Sequence, residues 1–145
     1  MRNALTLTIV FAAGVAAGQL WQPARVAAQG GANVFELRTY TAPEGKLGNL
    51  HARFRDHTRR IFERHGMTSV GYWVPQDEPL SKNTLIYVLS HASRDAAKKS
   101  WDAFRQDPDW VKARTASEEK AGGSLTEKGG VVSEYLTPTN YSPLK

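Results

Sequence analysis

Arg38 and Tyr40 alternate within the run Val34 to Tyr40, so both side chains leave the same face of an extended segment. On that face an arginine can grip a carboxylate through two parallel N–H bonds, and a tyrosine hydroxyl can donate beside it. Glu36, two residues before Arg38, offers the alternative of an internal neutral pair. Alternation says which residues share a face and not which face is covered. If this face looks at helices, Arg38 and Tyr40 line a pocket. If it looks at another subunit, they become interface residues.

The histidines are the other candidates for chemistry. An imidazole titrates near neutrality and can act as a general base; His51 and His91 are the two positions considered for that role. The competing reading of His51 is a hydrogen-bonded core residue, and that of His65 is a partner for a helix C-terminus. A metal site is not expected, because His51, His57 and His65 are six and eight residues apart, whereas two ligands on one helix need a spacing of about three or four. Tyr72, Trp73 and Trp101 join Arg38 and Tyr40 as candidate ligand-binding residues, while most of the aromatic area, including Tyr87, Phe104 and Trp110, is expected in the core. The chain has no cysteine, so thiol chemistry and disulfides are excluded. It has no Gly-x-Gly-x-x-Gly, P-loop or Gly-x-Ser-x-Gly motif. Nucleotide cofactors and serine hydrolysis therefore lack their signatures, and no bound cofactor is expected.

These residues must be positioned by a small set of elements. Val34 to Tyr40 reads as the first strand, with Phe35, Leu37 and Thr39 on the face opposite Arg38. Glu44 to His65 reads as a helix whose stripe is Leu47, Leu50, His51, Phe54, Thr58, Ile61 and His65. Met67 to Val74 and Thr84 to His91 read as a hairpin pair of strands around a polar turn. Ser93 is an N-cap for a helix to about Gln106 with Ala97, Trp101 and Phe104 inward. Asp107-Pro108 starts a further short helix to about Glu118. A polar, mobile loop is expected over Gly122 to Gly130, and Val131 to Leu136 is the last strand. The order β-α-β-β-α-(α)-β is the split βαβ, ferredoxin-like arrangement. Its helices cover one face of an antiparallel sheet, and the apolar bare face calls for a second copy, a homodimer.

The N-terminus is set apart. Arg2, an apolar run from Ala4 to Ala17, and the small residues of Val26-Ala27-Ala28 fit a signal peptide over 1–28, cleaved after Ala28. Retention as a membrane anchor is the rival reading; after cleavage no membrane association is expected. A flexible lead-in over 29–33 then precedes a domain over 34–138. Removing Arg2 and Arg25 leaves 17 Lys and Arg against 14 Asp and Glu, a net charge of +3 without clustering. That mild, dispersed excess does not make a nucleic-acid surface. Export without disulfides fits a bacterial periplasm.

Phe35-Glu36-Leu37-Arg38-Thr39-Tyr40, Pro43-Glu44-Gly45, Leu50 to Phe54, His65-Gly66 and Gly71-Tyr72-Trp73 form an ordered set of blocks. Tyr87-Val88-Leu89, Arg94, Trp101-Asp102-Ala103-Phe104 and Asp107-Pro108-Asp109-Trp110 continue it. Together they resemble the NIPSNAP family. The resemblance implies the dimeric α+β barrel fold and carries no catalytic set. Two functions follow from the residues and the fold analogy: an exported protein of non-enzymatic or undetermined molecular role with a small-molecule pocket between sheet and helices, or a small cofactor-free enzyme, monooxygenase- or isomerase-like, acting on an apolar or aromatic substrate.

Overall fold

The computed structural model describes residues 33–144. The expected signal peptide over 1–28, its expected cleavage site and most of the expected lead-in lie outside the described residues. β1 (Val34–Thr41) leads into a long helical segment: α1 (Leu47–Arg53), a π-helical turn (Phe54–Thr58) and α2 (Arg59–Arg64). β2 (Thr68–Trp73), a 3₁₀ turn (Leu80–Lys82) and β3 (Thr84–His91) follow, then α3 (Arg94–Gln106), α4 (Pro108–Lys120) and β4 (Val131–Leu136). The strands form one antiparallel sheet in the order β2-β3-β1-β4. Among the described residues no helix is long and apolar enough to cross a membrane.

The register settles the face that sequence alternation leaves open. Glu36 lies opposite Leu89 and Tyr135, Arg38 opposite Tyr87 and Ser133, and Tyr40 opposite Leu85. Directly paired residues share a face, and this one is covered by helices: Trp101 of α3 bonds Glu36, and Phe54 packs on Tyr40 at 5.8 Å. Phe35, Leu37 and Thr39 face outward, where Trp73, Val132 and Leu136 stay 51%, 53% and 42% exposed. β2 carries a bulge between Ser69 and Gly71. Beyond it Tyr72 pairs with Tyr87 on the helix side, and Trp73 pairs with Ile86 on the outer side. The Trp73 ring crosses Gly71 so closely that a Cβ there would lie 2.6 Å from it; only glycine leaves that space.

The long helical segment departs from its expected form twice. It begins at Leu47 and not Glu44, because Gly45 turns the chain with φ +72, outside helical backbone. Its middle widens into the π turn, where the Arg59 N–H reaches the Phe54 carbonyl and Thr58 Oγ1 donates to the Arg53 carbonyl at 3.2 Å. In an α-helix a spacing of four drifts by roughly 40° per step. The wider turn takes up that drift, so Leu50, Phe54, Thr58 and Phe62, four apart, all point inward and are at most 4% exposed. Phe62 thereby joins the core against the expected stripe, and packs on Phe104 at 4.8 Å and Trp101 at 5.3 Å. His65 leaves that stripe: it lies past the helix and bonds Asp107 at 2.6 Å.

Ser93 caps α3 by accepting from the Ala96 N–H. Asp107 caps α4, accepting from the N–H groups of Asp109 and Trp110. The His65 hydrogen bond outweighs burial and, with Arg64, keeps the Asp107 carboxyl well below the usual carboxylate range. The stretch expected to be a mobile loop is pinned. Leu125 is fully buried, the Glu127 N–H bonds the Thr41 carbonyl, and the Gly130 carbonyl receives the Thr41 N–H. One leucine in a polar stretch is enough to anchor it.

Candidate functional site

Glu36 is the centre of the most elaborate polar arrangement on the helix-covered face. Its side chain is 1% exposed. Oε1 accepts from Arg38 Nη1 at 2.6 Å and from Ser133 Oγ at 2.6 Å. Oε2 accepts from Trp101 Nε1 at 2.7 Å and from His91 Nε2 at 2.9 Å. A carboxylate only accepts, so His91 must carry its proton on Nε2. Its Nδ1 is buried without a partner among the described residues. Burial by itself would raise the Glu36 pKa, but the bonds from His91, Ser133, Trp101 and Arg38 together bring it down to about 2.

Each donor is delivered by a different element. β1 supplies Glu36 and Arg38 by alternation, β3 supplies His91 at its end, β4 supplies Ser133, and α3 supplies Trp101 on its buried stripe. Arg38 stacks on Trp101 with its guanidinium 4.2 Å from the ring centroid, and donates to the Tyr40 hydroxyl at 3.4 Å. Tyr40 in turn accepts from Tyr87 at 3.0 Å. Burial opposes the charge on Arg38, yet Tyr40, Tyr87 and Glu36 hold its pKa above the ordinary guanidinium value. The Arg38 side chain is still 13% exposed. It opens onto a cavity of about 450 Å³ between β1, β4 and α3, lined by Arg94, Lys98 and Arg105 with Asp95 and Tyr135. Arg94 lies over the Tyr135 ring at 3.5 Å. Four cations and two carboxylates line the cavity, and a third carboxylate, Asp102 of α3, pairs with Lys98 and Arg105, so the surroundings keep a small positive excess.

The remaining candidates lie elsewhere, at the β2 end of the sheet. His51, Tyr72 and Trp73 line a second cavity of about 330 Å³, together with Phe54, Arg55, Arg59, Val74 and Leu85. Burial first, then Arg55, push the His51 pKa below its ordinary value. Burial also raises the Tyr72 hydroxyl, which shares a hydrogen bond with Ser69 at 2.8 Å. Arg38 and His51 therefore line different cavities. Arg38, Tyr40 and Trp101 come together, with His91 behind Glu36, and His51, Tyr72 and Trp73 form a separate group.

The NIPSNAP family model matches residues 35–143. The chain belongs to the NIPSNAP family. Two NIPSNAP family proteins from Agrobacterium tumefaciens strain C58 are similar in structure. One, of unknown function, is 21% identical with a TM-score of 0.66 over 79% of this chain and 95% of that one. The other is 24% identical with a TM-score of 0.65 over 78% and 99%. SnoaB, a cofactor-independent oxygenase from Streptomyces nogalater, is 15% identical with a TM-score of 0.51 over 78% and 99%. At these identities the likeness concerns the fold. No curated protein sequence matches significantly. The fold is the ferredoxin-like α+β sandwich of the dimeric α+β barrel class, as expected. In this NIPSNAP domain the residues that sequence reasoning passed over as site residues are Ser133, Tyr135, Arg94, Lys98 and Arg105. The signal for the first two was the β4 alternation Val132-Ser133-Glu134-Tyr135, which places Ser133 and Tyr135 on one face.

Proposed function

We propose that this NIPSNAP protein is a binding protein for a small, strongly anionic molecule held between β1, β4 and α3. One observation carries the reading: Arg38 is clamped between Glu36 and the Trp101 ring with its edge open to a cationic cavity. A guanidinium fixed by its neighbours loses little freedom when it binds an oxyanion. Catalysis fits this pocket less well. A carboxylate saturated by four donors is a poor base, and His91 is 2% exposed behind it. The cofactor-free enzyme alternative is supported by the fold likeness to SnoaB and would rest on His51 in the other cavity. Citrate titrated calorimetrically into the full chain tests the binding reading. Arg38→Met is expected to abolish the heat, and the exposed pair Arg94→Gln/Arg105→Gln to weaken affinity about tenfold. Undiminished citrate binding in both variants, or none by the native chain, would sink it.

Export and dimerisation belong to the same reading. Export is supported by the N-terminal apolar run with Ala27-Ala28. A homodimer through the outer sheet face is supported by the apolar side chains there, Val70, Trp73, Val132 and Leu136, all exposed. Mass spectrometry with light scattering on the exported product checks both. The expected species is a dimer of chains beginning at Gln29; a monomer, or a chain retaining Met1, contradicts one part or the other.

A further inference from the structure

The second cavity has its own construction. Its floor is aromatic and aliphatic: Phe54 from the helical segment, Tyr72 from β2 and Leu85 from β3, with the Tyr72 ring stacked on Tyr87 at 5.5 Å and 23°. Trp73 and Val74 close the β2 edge, and both keep exposed apolar surface, 51% and 39%. The opposite wall is a row of nitrogen side chains, His51, Arg55 and Arg59. They stand four residues apart, and the π turn between them has a structural consequence. It offsets part of the drift of about 40° that each step of four accumulates in an α-helix, and the three line the same cavity. The same correction that turns Phe62 into the core turns Arg59 toward the cavity.

The row is not committed to other partners. Among the described residues the His51 side chain makes no hydrogen bond or ion pair. The Arg59 side chain makes only a contact with the Tyr72 ring, 5.8 Å from its centroid. Arg55 pairs with the adjacent Asp56 at 3.2 Å, but both side chains are mostly exposed, so that pair is worth little and exchanges freely. No acidic side chain lines the cavity among the described residues. Two guanidinium groups and an imidazole therefore face an apolar floor, and the carboxylate paired with the row is the exposed Asp56 beside Arg55.

We propose that this cavity is a second ligand site, distinct from the Arg38 pocket, for a planar aromatic molecule bearing a single carboxylate. The ring lies on Tyr72 with Trp73 and Leu85 beside it. The carboxylate lies against Arg55 and Arg59, with His51 donating a hydrogen bond at the end of the row. Aromatic faces prefer offset or edge contacts with other rings, and a guanidinium binds a carboxylate in a fork. A ligand with one charged end and an apolar body satisfies both walls; citrate, polar on every side, would leave the floor unpaired.

2-Naphthoate is the probe, because its fluorescence reports binding to the intact protein. The native chain is expected to bind it, and to bind the uncharged 2-naphthamide about tenfold more weakly. Arg55→Gln/Arg59→Gln, both at exposed positions, is expected to weaken 2-naphthoate about tenfold or more while leaving citrate binding and the melting temperature where they were. His51→Gln, which keeps a donor but changes its reach, should lie between. Equal affinity for naphthoate and naphthamide, or a double variant that binds as the native chain does, overturns the proposal. Loss of naphthoate binding on saturation with citrate would place the probe in the Arg38 pocket and overturn it as well. Failure of citrate to bind, with naphthoate behaving as stated, would refute the anion reading of the Arg38 pocket alone.

Discussion

The two cavities lie toward different ends of one sheet and are built on opposite plans. In the Arg38 pocket the charges are buried first and satisfied by one another: a carboxylate with four donors, a guanidinium against two rings, and the cations of α3 beyond them. In the His51 cavity the buried part is aromatic, and the charged groups stand at the exposed wall with little holding them. Buried, networked charges are costly to disturb and arrive preorganised. Rim charges are cheap to replace and adapt to what binds. The difference assigns stability to one pocket and tolerance to the other, and substitutions can test that division.

The largest effect is expected at Glu36. Glu36→Gln keeps the shape and removes the charge, so a side-chain amide N–H faces donors it cannot accept from, and Arg38 is left buried without its counter-ion. Breaking a buried pair in this way costs about 3–5 kcal/mol, a drop of roughly 10–20 °C in the melting temperature of a domain this size. The pH dependence sharpens the test. Because folding lowers the Glu36 pKa from 4.5 to about 2, its contribution is complete above the unfolded value and disappears as pH falls through the folded one. The native chain should lose roughly 3 kcal/mol over that interval on account of this group. Denaturant titrations at pH 5 and pH 2.5 should show the loss in the native chain and a smaller one in Glu36→Gln. Equal slopes in the two proteins would mean that the network does not carry the stability assigned to it.

The same contrast explains what could be read in advance. The strands were legible because alternation of Phe35, Leu37 and Thr39 against Glu36, Arg38 and Tyr40 is a local pattern, and the caps at Ser93 and Asp107 were legible because their chemistry is local too. Which face of β1 turns inward was not, since it depends on pairing with Ser133, nearly a hundred residues away in the chain. The apolar residues Phe35 and Leu37 point outward while Glu36 and Arg38 point inward, a reversal that makes sense only when His91 and Trp101 are in place. The inward turn of Phe62 was hidden for another reason: a π turn has no periodic signature, and counting at 3.6 residues per turn runs past it. The buried Leu125 was hidden because a single apolar residue among Gly, Ser and Thr gives no pattern.

At the apolar end the smallest effect separates ring from hydroxyl. Tyr72→Phe removes the hydrogen bond to Ser69 and keeps the ring stacked on Tyr87. Ser69 is only partly buried, so water can replace the lost partner. The cost should fall at or below the low end of a neutral hydrogen bond, about 0.5 kcal/mol, and 2-naphthoate affinity should stay within about twofold if the ring face is what the ligand meets. A melting curve and a fluorescence titration on one preparation give both numbers. If the variant melts like the native chain and yet loses the probe, the hydroxyl itself is a ligand group. The His51 cavity would then be a second polar site, and the division between a stability-bearing and a tolerant pocket would fail at the end where it predicts least.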